Sequence, residues 1–354
     1  MNVMSPFGNR LTIARKIAGL SLQGLSDKLE GVVSRQALHK YEQNTSLPNS
    51  RTLIALSRAL GVPVDFFFSE PEVSVELKYI DYRKKKGLLQ TQQIAIEQQC
   101  KESLDRYLSL EAAVQDHKSV TDFIFDKEIR LPIDAEEAAQ KLRKKWDLGD
   151  APIPNVTAML EDKGYKVIEI ETDGDFDGLK AFGGTARVIG INKQIKDVCR
   201  KRFTLLHELA HHVLQYPEDM AENDCERLCH IFAGAVLFPA EQAKEALHQT
   251  RFHFYLPELI LLKEYWGISI AAIFVRAKNL DIISKHVYDK LWVGYKSRKF
   301  HQNEPGNFQG DERPLRFKQL LYRGLAEELI TINQAATLSQ KTVGELRNEL
   351  DQLA

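Results

Sequence analysis

At 354 residues, with 44% apolar and 27% charged content, the chain has the composition of an ordinary soluble globular protein and material for two or three domains. A formal charge of −1 excludes overall basicity as the source of any nucleic-acid affinity, so such a surface must come from local clustering. Four scattered cysteines (Cys100, Cys199, Cys225, Cys229), no apolar run of about 18 residues and no apolar stretch at the start argue against a disulfide framework, a membrane span and secretion; the expectation is a cytoplasmic protein with no membrane partner.

Residues 1–70 read as five short helices punctuated by Gly and Pro, and they hold eight Lys/Arg against five acids, a net of +3. Inside this stretch Leu25 and Leu29 offer an apolar inner face, Gly31 a turn, and Ser34 an N-cap for a second helix. On that helix Ala37, Leu38 and Tyr41 point inward, while Arg35, Gln36, His39 and Lys40 form an outward polar edge. This is the layout of a reader of double-stranded DNA. A charged break at Tyr82–Leu88 and a long connecting helix follow, so that 71–130 reads as a helical linker.

From 131 to 284 the pattern changes. "DAEEAAQKLRKKWDLG" is amphipathic, "PNVTAMLEDKGYKVIEIE" reads as a helix followed by a strand, and "ARVIGIN" reads as a second strand, giving a small sheet. The helical hairpins after Pro239 and near the end lack a basic or amide-rich second helix and read as packing units. Residues 285–354 are a helical C-terminal region without a legible role. The fold class expected is mainly α with a small β-sheet: a helix-turn-helix bundle, an α+β domain and a helical C-terminal region.

"FTLLHELAHHVL", Phe203–Leu214, places three imidazoles and a carboxylate in an apolar helix. His207 and His211, at i and i+4, face one point, as two ligands of one Zn²⁺ do. Glu208 lies about 100° further round, close enough to act as general base toward an attacking water without being a ligand. Buried polar groups in a row need a common partner, and a metal ion supplies one. A catalytic zinc site takes a third protein ligand. "NDCERLCHIFAGAVLFP" offers Asp224, Glu226 and His230, with Cys225 and Cys229 as thiolate alternatives. Glu226 has the best case, and the two cysteines are read as small buried hydrophobes. His212 points about 100° away from His211, outside the ligand set. For stabilising an oxyanion, His212, His230, Tyr255 and Arg276 all remain open.

"RFTLLHELAHHVL" followed by "ERLCHIFAGAVLFP" resembles the ImmA/IrrE family of metallopeptidases over roughly Asp134–Ser284. The resemblance implies zinc held by His207, His211 and Glu226, with Glu208 as catalytic acid/base. Leu206, Ala210 and Cys229 stand where the family has Ala, Gly and Ala. Residues Arg10–Phe68 resemble the Xre/Cro-repressor family, with Leu22 in place of its phosphate-binding Gln; Gln23 is the expected substitute. Together the resemblances imply a homodimeric, DNA-binding transcriptional regulator with a zinc endopeptidase domain that cleaves or inactivates a partner repressor. The alternative is a non-catalytic antitoxin or sensor that holds a toxin or ligand with the peptidase-like domain.

Overall fold

The computed structural model describes residues 6–84, 88–120, 123–172, 175–248 and 250–351, with the backbone alone for 81–84 and 351. The chain opens with α1 (Phe7–Ile17), α2 (Leu22–Lys28), α3 (Arg35–Glu42), α4 (Ser50–Leu60) and a 3-10 turn, Val64–Phe68. Side-chain caps start three of these helices: Ser21, Ser34 and Asn49 accept from the backbone N–H three residues on. Phe7, Leu11, Leu25, Leu38, Leu56 and Phe67 share one small core. The fifth expected helix is thus the 3-10 turn.

Next come β1 (Leu77–Lys84), α5 (Gln90–Ala113), α6 (Pro132–Lys145), α7 (Val156–Asp162), β2 (Lys166–Ile170), β3 (Phe176–Gly183), β4 (Ala186–Asn192), α8 (Val198–Val213) and α9 (Glu222–Leu237). The sheet runs β1-β3-β4-β2, with β2 parallel to β4 and the other pairs antiparallel. Two of its strands carry the expected sequences. The other two correct the reading: Phe176–Gly183 is a strand that the sequence reading omits, and Leu77–Lys84, taken in part as a charged break, is an edge strand. Charged residues are a common device on strand edges, where they discourage pairing with other chains, and so they masked it. Residues 85–87 of the same stretch lie outside the described residues.

α5 is more than a connector, because apolar residues line it from Ala95 to Leu110. Ile96, Cys100 and Leu104 pack under Ile168, Ile170, Leu179 and Val188 on one face of the sheet. The opposite face, through Val167, Ile189 and Ile191, meets Leu205, Leu206 and Leu209 of α8. The sheet is therefore a layer between α5 and α8, and its alternating side chains serve both.

The remaining helices are α10 (Ala240–Leu247), α11 (Leu256–Trp266), α12 (Ile270–Asn279), α13 (Lys285–Ser297), α14 (Arg316–Ala326), α15 (Ile332–Ser339) and α16 (Val343–Asp351). α11–α13 extend the core around α8 and α9. α14–α16 close over the far end of α5, where Leu320, Leu321, Ile330, Ala335 and Leu346 meet Tyr107, Leu110 and Val114. The architecture is mainly α with a small mixed sheet. Among the described residues no helix is long and apolar enough to cross a membrane.

Where α1 packs on α5, a buried ion pair ties the N-terminal bundle to the rest of the chain. Both guanidinium nitrogens Nη1 and Nη2 of Arg10 donate to the Glu102 carboxylate, at 2.8 and 2.9 Å. Arg10 Nε donates to Phe66 O, and the guanidinium lies 3.7 Å over the Phe66 ring.

Candidate metal centre and nucleic-acid interface

Asp197 caps α8, its carboxylate accepting from Arg200 N at 2.8 Å, and the helix then runs unbroken through the histidines. α9 packs alongside it, burying Leu228, Phe232, Ala233 and Val236. This packing brings three side chains from two helices to one point. His207 Nε2 and His211 Nε2 are 3.1 Å apart, and each is 3.2 Å from an oxygen of Glu226. All three candidate ligand atoms lie within 4.8 Å of one another. His207 is fully buried, whereas the Glu226 side chain is 31% exposed, so the centre opens to solvent on the α9 side.

Two imidazoles and a carboxylate are the donor set of a catalytic zinc site, so the residues fit the ion. The three side chains are also strongly coupled electrostatically. Burial by itself would raise the Glu226 carboxyl, yet its contacts with His207 and His211 hold it well below the usual carboxylate range. Burial likewise would lower His211, but contacts with Cys229 and Glu226 push it up to about 11. The Glu226 carboxylate and the two imidazoles thus form a mutually stabilising charged cluster.

Glu208 is 1% exposed and rests against β3 at Gly178. A Cβ at position 178 would lie 2.9 Å from both Glu208 Oε1 and Thr204 Cγ2 and 3.0 Å from Glu208 Cγ, so any larger residue there would have to displace these side chains. No local pattern in the sequence singles out Gly178, because the contact crosses from strand to helix.

The other candidates separate cleanly. Asp224 is exposed and pairs with Arg227. His212 is buried, donates from Nε2 to Val188 O at 2.9 Å and packs on Phe182; burial pushes it down to about 3, so it is a neutral brace between α8 and β4. Arg276 spends its guanidinium on Phe238 O and Glu136, and Tyr255 is exposed beside His253. His230 is the oxyanion candidate at the centre, its ring 4.6 Å from that of His207 and stacked on Phe203. Cys229 is buried as expected but is not merely apolar filler: its sulfur contacts His211 Nδ1 and the Tyr216 hydroxyl.

At the other end of the molecule, Gly31 turns the chain at φ +72°, and Ser26 Oγ donates to Val33 O at 2.7 Å, fixing the turn between α2 and α3. Leu25, Leu29 and Leu38 face inward. Ser34, Arg35, Gln36, His39 and Lys40 are all exposed. Ser34 Oγ is occupied as the cap of α3, accepting from Ala37 N at 3.2 Å. Gln23 is exposed on α2 and donates to Asp27. Arg15 grips Glu42 at 2.6 Å and so fixes the end of α3 to α1.

Comparison with known proteins finds two matches along the chain. Residues 11–67 match the helix-turn-helix family model, and residues 160–278 match the IrrE N-terminal-like domain. Over 91 residues the chain is 37% identical to the radiation response metalloprotease IrrE of Deinococcus deserti, covering 22% of this chain and 31% of that protein. Over 74 residues it is 36% identical to the SPbeta prophage-derived uncharacterized HTH-type transcriptional regulator YonR of Bacillus subtilis, covering 21% of this chain and 67% of the relative. The chain thus spans about a third of the first relative and two thirds of the second.

Proposed function

Because this chain belongs to the helix-turn-helix regulators and carries an IrrE N-terminal-like domain of the metallopeptidase family, we propose that it is a DNA-binding transcriptional regulator whose second domain is a zinc-dependent endopeptidase. The substrate in this reading is a partner repressor or regulatory protein. The observation that carries it is the convergence of His207 and His211 of α8 with Glu226 of α9, with Glu208 next to His207 on α8.

His207, His211 and Glu226 would hold the ion. Zinc, when bound, supplies a Lewis acid that polarises a peptide carbonyl and makes water a nucleophile near neutral pH. Glu208 accepts the proton of the attacking water on a carboxylate oxygen and returns it to the amine nitrogen as the C–N bond breaks. Gly178 leaves that carboxylate its space, and His230 stands beside the pair as a donor for the developing oxyanion.

Arg35, Gln36, His39 and Lys40 present base- and phosphate-contacting groups from α3, and Gln23 adds a phosphate contact from α2. A homodimer would set two such helices into successive major-groove segments of an operator in the cytoplasm. Bringing the peptidase to an operator concentrates it where a repressor sits.

The test is incubation of the zinc-loaded full chain with the protein encoded beside it, with Glu208→Gln as control. Cleavage by the wild type alone supports the reading. Stoichiometric zinc without cleavage moves it to a non-catalytic antitoxin or sensor that uses this domain to hold a toxin or ligand.

A further inference from the structure

The sulfur of Cys229 meets His211 at Nδ1, 3.7 Å away, on the ring edge opposite the Nε2 that faces Glu226. It therefore sits behind the ring and outside the ligand cluster. Its second polar neighbour is the hydroxyl of Tyr216 at 2.9 Å, from the segment that follows α8. Cys229 is fully buried, and Tyr216 and His211 partly so. A neutral imidazole that offers the Nε2 lone pair to a cation carries its one proton on Nδ1, and that proton needs an acceptor.

We propose that Cys229, itself anchored by Tyr216, is a positioning residue for the candidate metal centre: its sulfur accepts the Nδ1 proton of His211 and so fixes the tautomer and ring orientation that turn Nε2 toward the ion. The proposal rests on the metal-centre reading above. A sulfur acceptor in this position is weak by itself, which is the reason for the anchor: the Tyr216 hydroxyl fixes the χ1 rotamer of Cys229 and aims the sulfur at the ring. An alanine at 229 would keep the helix packing and supply no acceptor.

The test measures Zn²⁺ affinity of the full chain by competition with a chelator, for the wild type, Cys229→Ala, Tyr216→Phe and the double variant. Cys229→Ala should weaken zinc binding by roughly 10–100-fold, the range for losing the partner of a ligating histidine. Tyr216→Phe should weaken it less, and its effect should vanish once Cys229 is already Ala, because the hydroxyl acts through the sulfur. Should Cys229→Ala not fold, Cys229→Val, which fills the space without offering an acceptor, takes its place with the same expectation. Wild-type affinity in the variant at 229, or an effect of Tyr216→Phe that is undiminished in its absence, overturns the proposal. A wild-type chain that takes up no zinc overturns the metal-centre reading, and the proposal with it.

Discussion

Arg202, fully buried on α8 five residues ahead of His207, forms a 2.7 Å ion pair with Glu312, which lies 110 residues further along the chain. The same guanidinium donates to Gly267 O and Ile153 O, and Phe308 covers it at 4.6 Å. Glu312 in turn accepts from Val156 N and Thr157 N at the start of α7. The C-terminal region, which carries no legible role in sequence, is therefore clamped to the helix that bears the histidines. Glu312→Ala leaves a buried guanidinium without its counter-charge and should cost about 3–5 kcal/mol in urea denaturation. A cost within the range of a surface substitution would mean that the pair is not holding the region in place.

Zinc stoichiometry follows the three converging side chains. Elemental analysis should find about one zinc per chain in the wild type and none in His207→Ala, since one of the three candidate ligands is lost. Added zinc should raise the melting temperature of the wild type and leave that of His207→Ala unchanged.

Glu208→Gln preserves shape and the neighbouring histidines but cannot take up the proton of an attacking water. Zinc content and operator binding should persist while cleavage of the target falls by about 10²–10⁴-fold, measured as single-turnover loss of the intact partner. Wild-type cleavage by Glu208→Gln would place the acid/base elsewhere.

DNA contacts divide by chemistry. Arg35→Ala should cost roughly 1–3 kcal/mol at the specific operator and relax the sequence preference, as loss of a base contact does. Lys40→Ala should weaken all DNA about equally and lower the salt dependence by about one phosphate. Fluorescence anisotropy against operator and random duplexes at several salt concentrations separates the two.

Glu161 gives a pH dependence. It is buried at the end of α7, where burial pushes its carboxyl up to about 7 despite hydrogen bonds accepted from Leu315 N and Arg316 N. The folded chain thus binds this proton more tightly than the unfolded chain, whose carboxyl titrates near 4.5. Its contribution is fully present below that lower value and is lost as pH rises to about 7, on the order of 3 kcal/mol in all. Glu161→Gln should flatten the stability curve across this window and exceed the wild type at pH 8, as read by chemical denaturation at a series of pH values.

Much of the candidate site was legible because its signals are local. The i,i+4 spacing of His207 and His211 is a property of one helix, and so is the polar edge from Arg35 to Lys40 beside the inward Leu38. Apolar periodicity marked the helices, and β-rich runs marked β2 and β4. What only the tertiary structure decided are the contacts between elements distant in sequence. Glu226 joins the histidines, and Asp224 does not, because α9 packs on α8 in one rotation. Gly178 makes room for Glu208, Cys229 reaches His211 from behind, and Arg10 finds Glu102. β1 was hidden for the same reason: its partner is β3, about a hundred residues away, and an edge strand with charged side chains has no period of its own to betray it. Sequence periodicity reports which face of an element is apolar; which face of another element covers it depends on how the whole chain packs.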